Sequence, residues 1–239
     1  PFVIAGVGQN HQGDLDLAKE YIRVFANAGA DAVKFQKRDN KTLFSEDAYN
    51  EIYNSENAFA KTYGEHREKL ELKNDWLKIL KKECETFNVK FMCTPFDEPS
   101  LNLLEEIGVD AYKIASFDCG NLPFINSIVK TNKPIIVSCG GANSTHIQKT
   151  VEILSQSTNQ IALLHCVSEY PCPIDKLDLS SIQTLIKNYP DIVVGVSDHF
   201  NGTLSGPLSY MSGARVFEKH VTMNRSWKGS DHSFALEPE

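Results

Sequence analysis

Eight short apolar runs punctuate this chain, at 2–8, 31–37, 90–96, 111–116, 134–140, 161–167, 193–199 and 214–222, and segments with helical periodicity lie between them. This alternation constrains the fold more than any other feature, because strands joined through helices must run parallel. Most of the runs are near-continuously apolar, as expected of strands covered on one face by helices and packed on the other. Eight units favour closure into a (β/α)8 TIM barrel, a fold of the α/β class. A doubly wound open sheet is the alternative, but no GxGxxG turn follows the first run. The 239 residues are close to the length of one such barrel.

The intervening patterns have helix punctuation. Asp14 is placed to cap a helix whose apolar face is Ala18, Tyr21, Ile22 and Phe25, with Gly29 just past its end. Asn74 or Asp75 is placed to cap another, with Leu77, Leu80, Cys84 and Phe87 on one face. Further helices fit 99–107, 122–131, 145–157, 179–189 and 204–213. Residues 38–73 break the rhythm. They are polar and aromatic, too long for a simple βα-loop, and are expected to form a lid or contact surface. No helical pattern follows the eighth run. The expectation is one barrel domain over 1–239, truncated before its eighth helix, with the outer face of the last strand open to association, for example as a homodimer.

Composition narrows the function. A net charge of −7 argues against nucleic acid as a main partner, although a local lysine pocket can still hold an anionic substrate. The six cysteines show no CxxC pairing, and several sit inside strand-like runs, which suggests reduced thiols in a cytoplasmic protein. No apolar run approaches membrane-spanning length, and no signal peptide opens the chain.

In such a barrel the strand C-termini converge on one mouth, where the chemistry is done. His199 and His220 stand at the ends of the seventh and eighth runs, a plausible metal pair. The plainer reading, hydrogen-bonded histidines near the core, suits one such residue better than two at matching positions. Strand alternation puts Lys34 with Gln36, Ser197 with His199, and Glu218 with His220 on inward faces, and turns Lys219 away. Lys113 and Ser116 have opposite parity, so they can share a site only if Ser116 lies past its strand end. Two inward lysines need a partner, either a bound phosphate and carboxylate or an Asp or Glu within the barrel. Ser116, Ser138, Ser197 and Gln36 would add neutral hydrogen-bonding groups around a phosphoryl group.

Over nearly its whole length the chain resembles the N-acetylneuraminate (sialic acid) synthases. The matching elements are Gln9-Asn-His-Gln-Gly-Asp14, Val33-Lys-Phe-Gln36, Thr62-Tyr-Gly-Glu-His66, Ala111-Tyr-Lys-Ile114, Leu164-His-Cys166 with Tyr170-Pro171, Gly195-Val-Ser-Asp-His199, Glu218-Lys-His220, and Lys228-Gly-Ser-Asp-His232 running into Leu236-Glu-Pro238. The resemblance implies condensation of phosphoenolpyruvate with N-acetylmannosamine, its 6-phosphate, or a related acetamido sugar, giving a nonulosonic acid and phosphate. It implies Mn²⁺ or another divalent cation on His199 and His220. It also implies a phosphoenolpyruvate site of Lys34, Gln36, Lys113, Ser116, Ser138 and Ser197, with Lys34, Lys113 and Asp231 in catalysis. Tyr170 and Asp231 are implied as sugar contacts, and Ser168 stands where bacterial members often have Asn. The expectation is a barrel without the C-terminal antifreeze-like domain that members of this family carry.

One departure bears on activity. Where the family's first strand usually reads Ala-Glu-Ile-Gly, this chain reads Ala5-Gly6-Val7-Gly8, so a glycine replaces a catalytic glutamate. Two other readings stay open on the residues alone. One is a Schiff-base aldolase using Lys113 or Lys34, which leaves the histidine pair unexplained. The other is a non-catalytic sugar- or phosphate-binding remnant.

Overall fold

The computed structural model describes residues 1–156 and 160–238. Eight parallel strands close into a barrel in chain order. They are β1 (Phe2–Gly8), β2 (Ala32–Lys37), β3 (Lys90–Pro95), β4 (Ala111–Ile114), β5 (Ile135–Ser138), β6 (Ile161–Cys166), β7 (Val193–Asp198) and β8 (Val216–His220). The expected (β/α)8 architecture is therefore the observed one, and the open sheet is excluded. Several strands end earlier than their apolar runs, so Ser116 and His199 lie just past β4 and β7.

The helices are α1 (Leu15–Asn27), α2 (Asn40–Leu43), α3 (Glu46–Asn50), α4 (Tyr63–Lys69), α5 (Asn74–Thr86), α6 (Glu98–Ile107), α7 (Leu122–Val129), α8 (Ser144–Leu154), α9 (Ser180–Asn188) and α10 (Ser205–Met211). Asp14 caps α1 by accepting from the Leu17 amide, and the four apolar residues expected on its inner face are buried. The start of α5 needs correction. Lys73 is the capping position, without a side-chain bond, and Asn74 is the first helical residue. Leu77, Leu80 and Cys84 are buried as expected, but Phe87 terminates the helix instead of extending its face. The last residue of the expected 145–157 helix lies outside the described residues. Segment 38–73 holds α2, α3 and α4, short helices of which α4 carries a complete Thr62/Glu65 capping box. No helix follows β8 among the described residues. An apolar groove of about 350 Å³, lined by Val3, Val196, Phe217 and Leu236 among others, runs along the outer face there. No helix of the described residues is long and apolar enough to cross a membrane.

Period-two alternation divides the interior. Outward residues such as Val7, Val33, Phe35, Tyr112 and Val137 join the helices in one continuous core. Inward residues at the lower level, Ile4, Ala32, Met92, Ile136, Ala162, Leu164 and Val216, form a separate apolar plug. The next inward level switches to Lys34, Thr94, Lys113, Ser138, Ser197 and Glu218, all buried. The plug closes the barrel from below, so this polar layer can open only toward the strand C-termini. All six cysteines are buried and unpaired.

Gly195 shows how tightly the plug is closed. A Cβ there would lie 2.2 Å from the Val216 carbonyl oxygen and 2.6 Å from Leu164 Cδ2. Gly195→Ala should therefore cost about 1–3 kcal/mol or more, the usual range for overpacking. Gly206, in α10, is the control: a Cβ added there would meet nothing within 4 Å. Gly206→Ala should be neutral or stabilising by up to about 1 kcal/mol. Urea unfolding midpoints check both. Equal midpoints for the two variants would contradict the packing described.

Candidate active site

The polar layer is organised around Glu218. Its Oε1 atom lies 3.7 Å from both Lys34 Nζ and Lys113 Nζ, and it accepts from the Ser197 hydroxyl at 3.1 Å. Burial opposes ionisation of this carboxyl, but Lys113 and Lys34 outweigh it and hold the pKa at about 2. Burial also draws Lys113 below its ordinary value, against the pull of Glu218. Lys113 donates to Ser138 Oγ at 2.7 Å and to the Ile114 carbonyl at 3.1 Å, while Lys34 reaches Thr94 Oγ1 at 3.4 Å. The plainer sequence reading, lysines paired within the barrel, is thus partly realised. One carboxylate serves two ammonium groups, and the layer keeps an excess positive charge. That is a chemical need an anion would meet.

Ser116 opens a 3-10 turn just beyond β4, as its parity required, and its hydroxyl accepts from the Gly140 amide at 3.1 Å. There β4 and β5 deliver a hydroxyl and a tight backbone turn to the same rim.

The histidine pair stands above this layer. The His199 and His220 rings lie 5.6 Å apart between centroids. His199 Nδ1 is 2.8 Å from the Val167 carbonyl, which can only accept, so the proton sits on Nδ1 and the lone pair on Nε2. Burial, followed by His220, lowers the His199 pKa to about 4. His220 Nδ1 is buried without a hydrogen-bond partner and lies 3.8 Å from Asp231 Oδ2. Burial lowers its pKa too, against Asp231. Tyr170, half exposed, tilts over His199 at 4.0 Å, and the buried Phe234 packs edge-on against both imidazoles. Two neutral imidazoles, one fixed through a backbone carbonyl and one with an orphaned nitrogen, suit a divalent ion. No group of three or more His, Cys, Asp or Glu forms a metal site among the described residues. An ion here would complete its coordination from substrate and water.

These elements line one cleft of about 470 Å³. It brings together Lys34, Gln36, Lys113, Ser116, Ser138 and Ser168 with Tyr170, Ser197, His199, His220 and Asp231. Every site residue singled out from the sequence is therefore gathered here. Gly6 pairs in register between Lys34 and His220. A Cβ at Gly6 would lie 3.1 Å from the Lys219 carbonyl oxygen, so a larger residue requires that strand to yield by a few tenths of an ångström. Gly8 takes a left-handed φ of +57° and leaves room for the His220 ring, whose Cε1 would lie 3.3 Å from a Cβ.

The cleft also contains residues that sequence reasoning did not place in it: Gln9, Arg38, Arg67, Thr94 and the rings of Phe96 and Phe117. Thr94 could have been found, because it shares parity with Met92 and pairs with Gln36. Parity turns Glu218 inward but says nothing of its role. Arg67 comes from α4, and nothing in its local sequence shows that α4 folds back over the mouth.

A family model described as the NeuB family matches residues 21–239. The chain is 36% identical over 237 residues to human N-acetylneuraminate-9-phosphate synthase, covering 99% of this chain and 66% of that protein, just under two thirds of its length. It is 38% identical over 241 residues to N,N'-diacetyllegionaminic acid synthase of Campylobacter jejuni, covering 72% of that protein. Among solved structures, the N-acetylneuraminic acid (sialic acid) synthetase of Leptospira borgpetersenii in complex with citrate superposes with a TM-score of 0.88 at 35% identity, over 99% of this chain and 78% of that one. With the family model matching most of its length, this chain belongs to the NeuB family.

Proposed function

We propose that this cleft condenses phosphoenolpyruvate with a 2-acetamido sugar to give a nonulosonic acid and phosphate. The observation that carries the reading is the buried layer in which Lys34 and Lys113 share the single carboxylate of Glu218. Its excess charge, with hydroxyls from Ser116, Ser138 and Ser197 around it, suits the phosphate and carboxylate of phosphoenolpyruvate. The relatives, named as synthases of N-acetylneuraminate 9-phosphate, N,N'-diacetyllegionaminic acid and sialic acid, support the same chemistry.

The sugar, in its open-chain form, occupies the outer half of the cleft against Tyr170, Ser168 and Asp231. His199 and His220 hold a divalent cation such as Mn²⁺, which when bound supplies Lewis-acid polarisation of the acceptor carbonyl. The C3 carbon of phosphoenolpyruvate forms a bond to the aldehyde carbon, and the aldehyde oxygen takes up a proton. Water adds to the electron-poor C2 and loses a proton. The tetrahedral carbon then expels phosphate by breaking its C–O bond. Lys34 and Lys113 stabilise the phosphoryl charge throughout.

Proton supply is the weak point. Glu218 is held ionised, as described above. Burial opposes ionisation of Asp231, yet His220 and the Ser230 hydroxyl bring its pKa below the ordinary carboxylate value. Neither carboxyl is held as a neutral acid, and position 6 offers none. The chain should therefore bind both substrates but turn over slowly.

Isothermal titration with phosphoenolpyruvate tests the carrying observation. Lys113→Ala should weaken binding by about 2–5 kcal/mol, the usual cost of removing one partner of a buried charge pair. Unchanged affinity in a folded variant would show that Lys113 serves only the internal ion pair. Borohydride trapping with pyruvate should leave no covalent adduct, whereas reduction onto Lys113 would support an aldolase.

For the metal, His199→Ala should lower Mn²⁺ affinity by at least about 10-fold while the circular dichroism spectrum stays that of the parent. A variant that kept its Mn²⁺ affinity would refute ligation by this histidine.

At position 6, an added acid should restore proton transfer, a contribution of typically about 10²–10⁴-fold. Phosphate release by Gly6→Glu should exceed that of the parent by at least about tenfold, allowing for the tight approach of the Lys219 carbonyl. Equal rates would mean that this mechanism does not use an acid on β1.

A further inference from the structure

Charge at the outer end of the cleft is unbalanced in its own way. Arg38 follows β2 and is 8% exposed. Its guanidinium carbon lies 3.7 Å from the centre of the Phe96 ring, which fixes the plane of the group. Its one side-chain hydrogen bond among the described residues runs from Nη2 to Gln36 Oε1 at 2.8 Å, and Nη1 is buried with no partner. Arg67 is directed toward the same cleft from α4. Its Nε and Nη2 donate to the Tyr63 hydroxyl at 3.0 and 2.6 Å, and Nη1 donates to Gln9 Oε1. The other end of that amide, Gln9 Nε2, is also buried without a partner.

Two orphaned groups at this corner, Arg38 Nη1 and Gln9 Nε2, are both donors. Neither guanidinium forms a salt bridge among the described residues. Burial, and then the like charge of Arg67, bring Arg38 to about 10 against the more distant pull of Glu71 and Asp231, which still leaves it cationic at neutral pH. The chain has 31 acidic residues against 24 basic ones, yet among the described residues no carboxylate lies within salt-bridge distance of either guanidinium; Glu71 accepts from the Arg38 backbone amide at 3.0 Å and pairs with Lys37. Of the cleft-lining carboxylates, Glu218 is committed to the two lysines and Asp231 lies beside His220. Two buried orphaned donors beside two guanidinium groups without a salt-bridge partner make a donor-rich corner that is costly when empty, and a multidentate oxyanion would satisfy it.

We infer that this corner receives a phosphate monoester on the acceptor sugar, and that Arg38 and Arg67 are the residues that select for it. The inference rests on the proposed function for the identity of the acceptor. It is separate from the phosphoenolpyruvate end, where Lys34 and Lys113 are occupied with Glu218, Thr94 and Ser138. A neutral hydroxyl could accept from one orphaned donor but would leave both charges unpaired.

Calorimetric titrations of N-acetylmannosamine 6-phosphate and of N-acetylmannosamine, each with and without phosphoenolpyruvate, test it. The phosphorylated sugar should bind at least about tenfold more tightly, as expected for charge-assisted, multidentate contacts. Arg38→Met, which keeps an apolar stem on Phe96, and Arg67→Gln should each reduce that preference to within about twofold, with unfolding midpoints reporting that the variants fold. Lys113→Ala should keep it. Equal affinity for the two sugars would overturn the inference. So would a preference that survives in both arginine variants, or one that Lys113→Ala removes, since the phosphate would then sit at the lysine end. Failure of phosphoenolpyruvate to bind the parent would refute the proposed reaction, while the comparison of the two sugars would still decide the role of the arginines.

Discussion

The ion cluster of Glu218 with Lys34 and Lys113 is the constraint on which the site depends. Three charged groups from β2, β4 and β8 meet in a layer with almost no access to water, and separating any one from its partners would leave a buried charge uncompensated. The layer is tolerable because it lies above an apolar plug and below an open cleft. The plug prevents water from entering from beneath, and the cleft allows an anion to complete the electrostatics from above. For the proposed reaction the same geometry would supply preorganisation, since the cationic groups are already desolvated and fixed.

Around that cluster the barrel distributes separate tasks among strands. The ends of β4 and β5 bring hydroxyls and a close backbone turn, while β7 and β8 bring the neutral imidazoles. The first strand brings no acid, and its glycines admit the close approach of β8 instead. The outer surface of the cleft is assembled differently. Arg38 is held by the edge of β2 and the Phe96 ring, whereas Arg67 is carried by a short helix within the long βα connection. The lining of the mouth can thus change through that connection without disturbing the lysines and histidines at the strand ends, a division common in barrels of this kind.

The architecture, and most of the residues that line the inner cleft, are legible in the residue pattern. Strand–helix alternation dictated a parallel sheet, and parity along β2, β7 and β8 oriented Lys34, Ser197, His199, Glu218 and His220. Family motifs located Lys113, Ser116, Ser138, Tyr170 and Asp231, all of which line the cleft. Those signals are legible because side-chain direction in a strand is fixed by a local period of two. The start of α5 was less legible, since Asn74 and Asp75 satisfy the preferences of a cap equally well and neither occupies that position. Tertiary structure alone decided which opposite charges share one partner, which donors are left without acceptors, and that α4 returns Arg67 to the mouth. Each of these depends on distances between segments far apart in the chain, set by barrel closure and by the packing of a long connection, and no local period in the sequence encodes them.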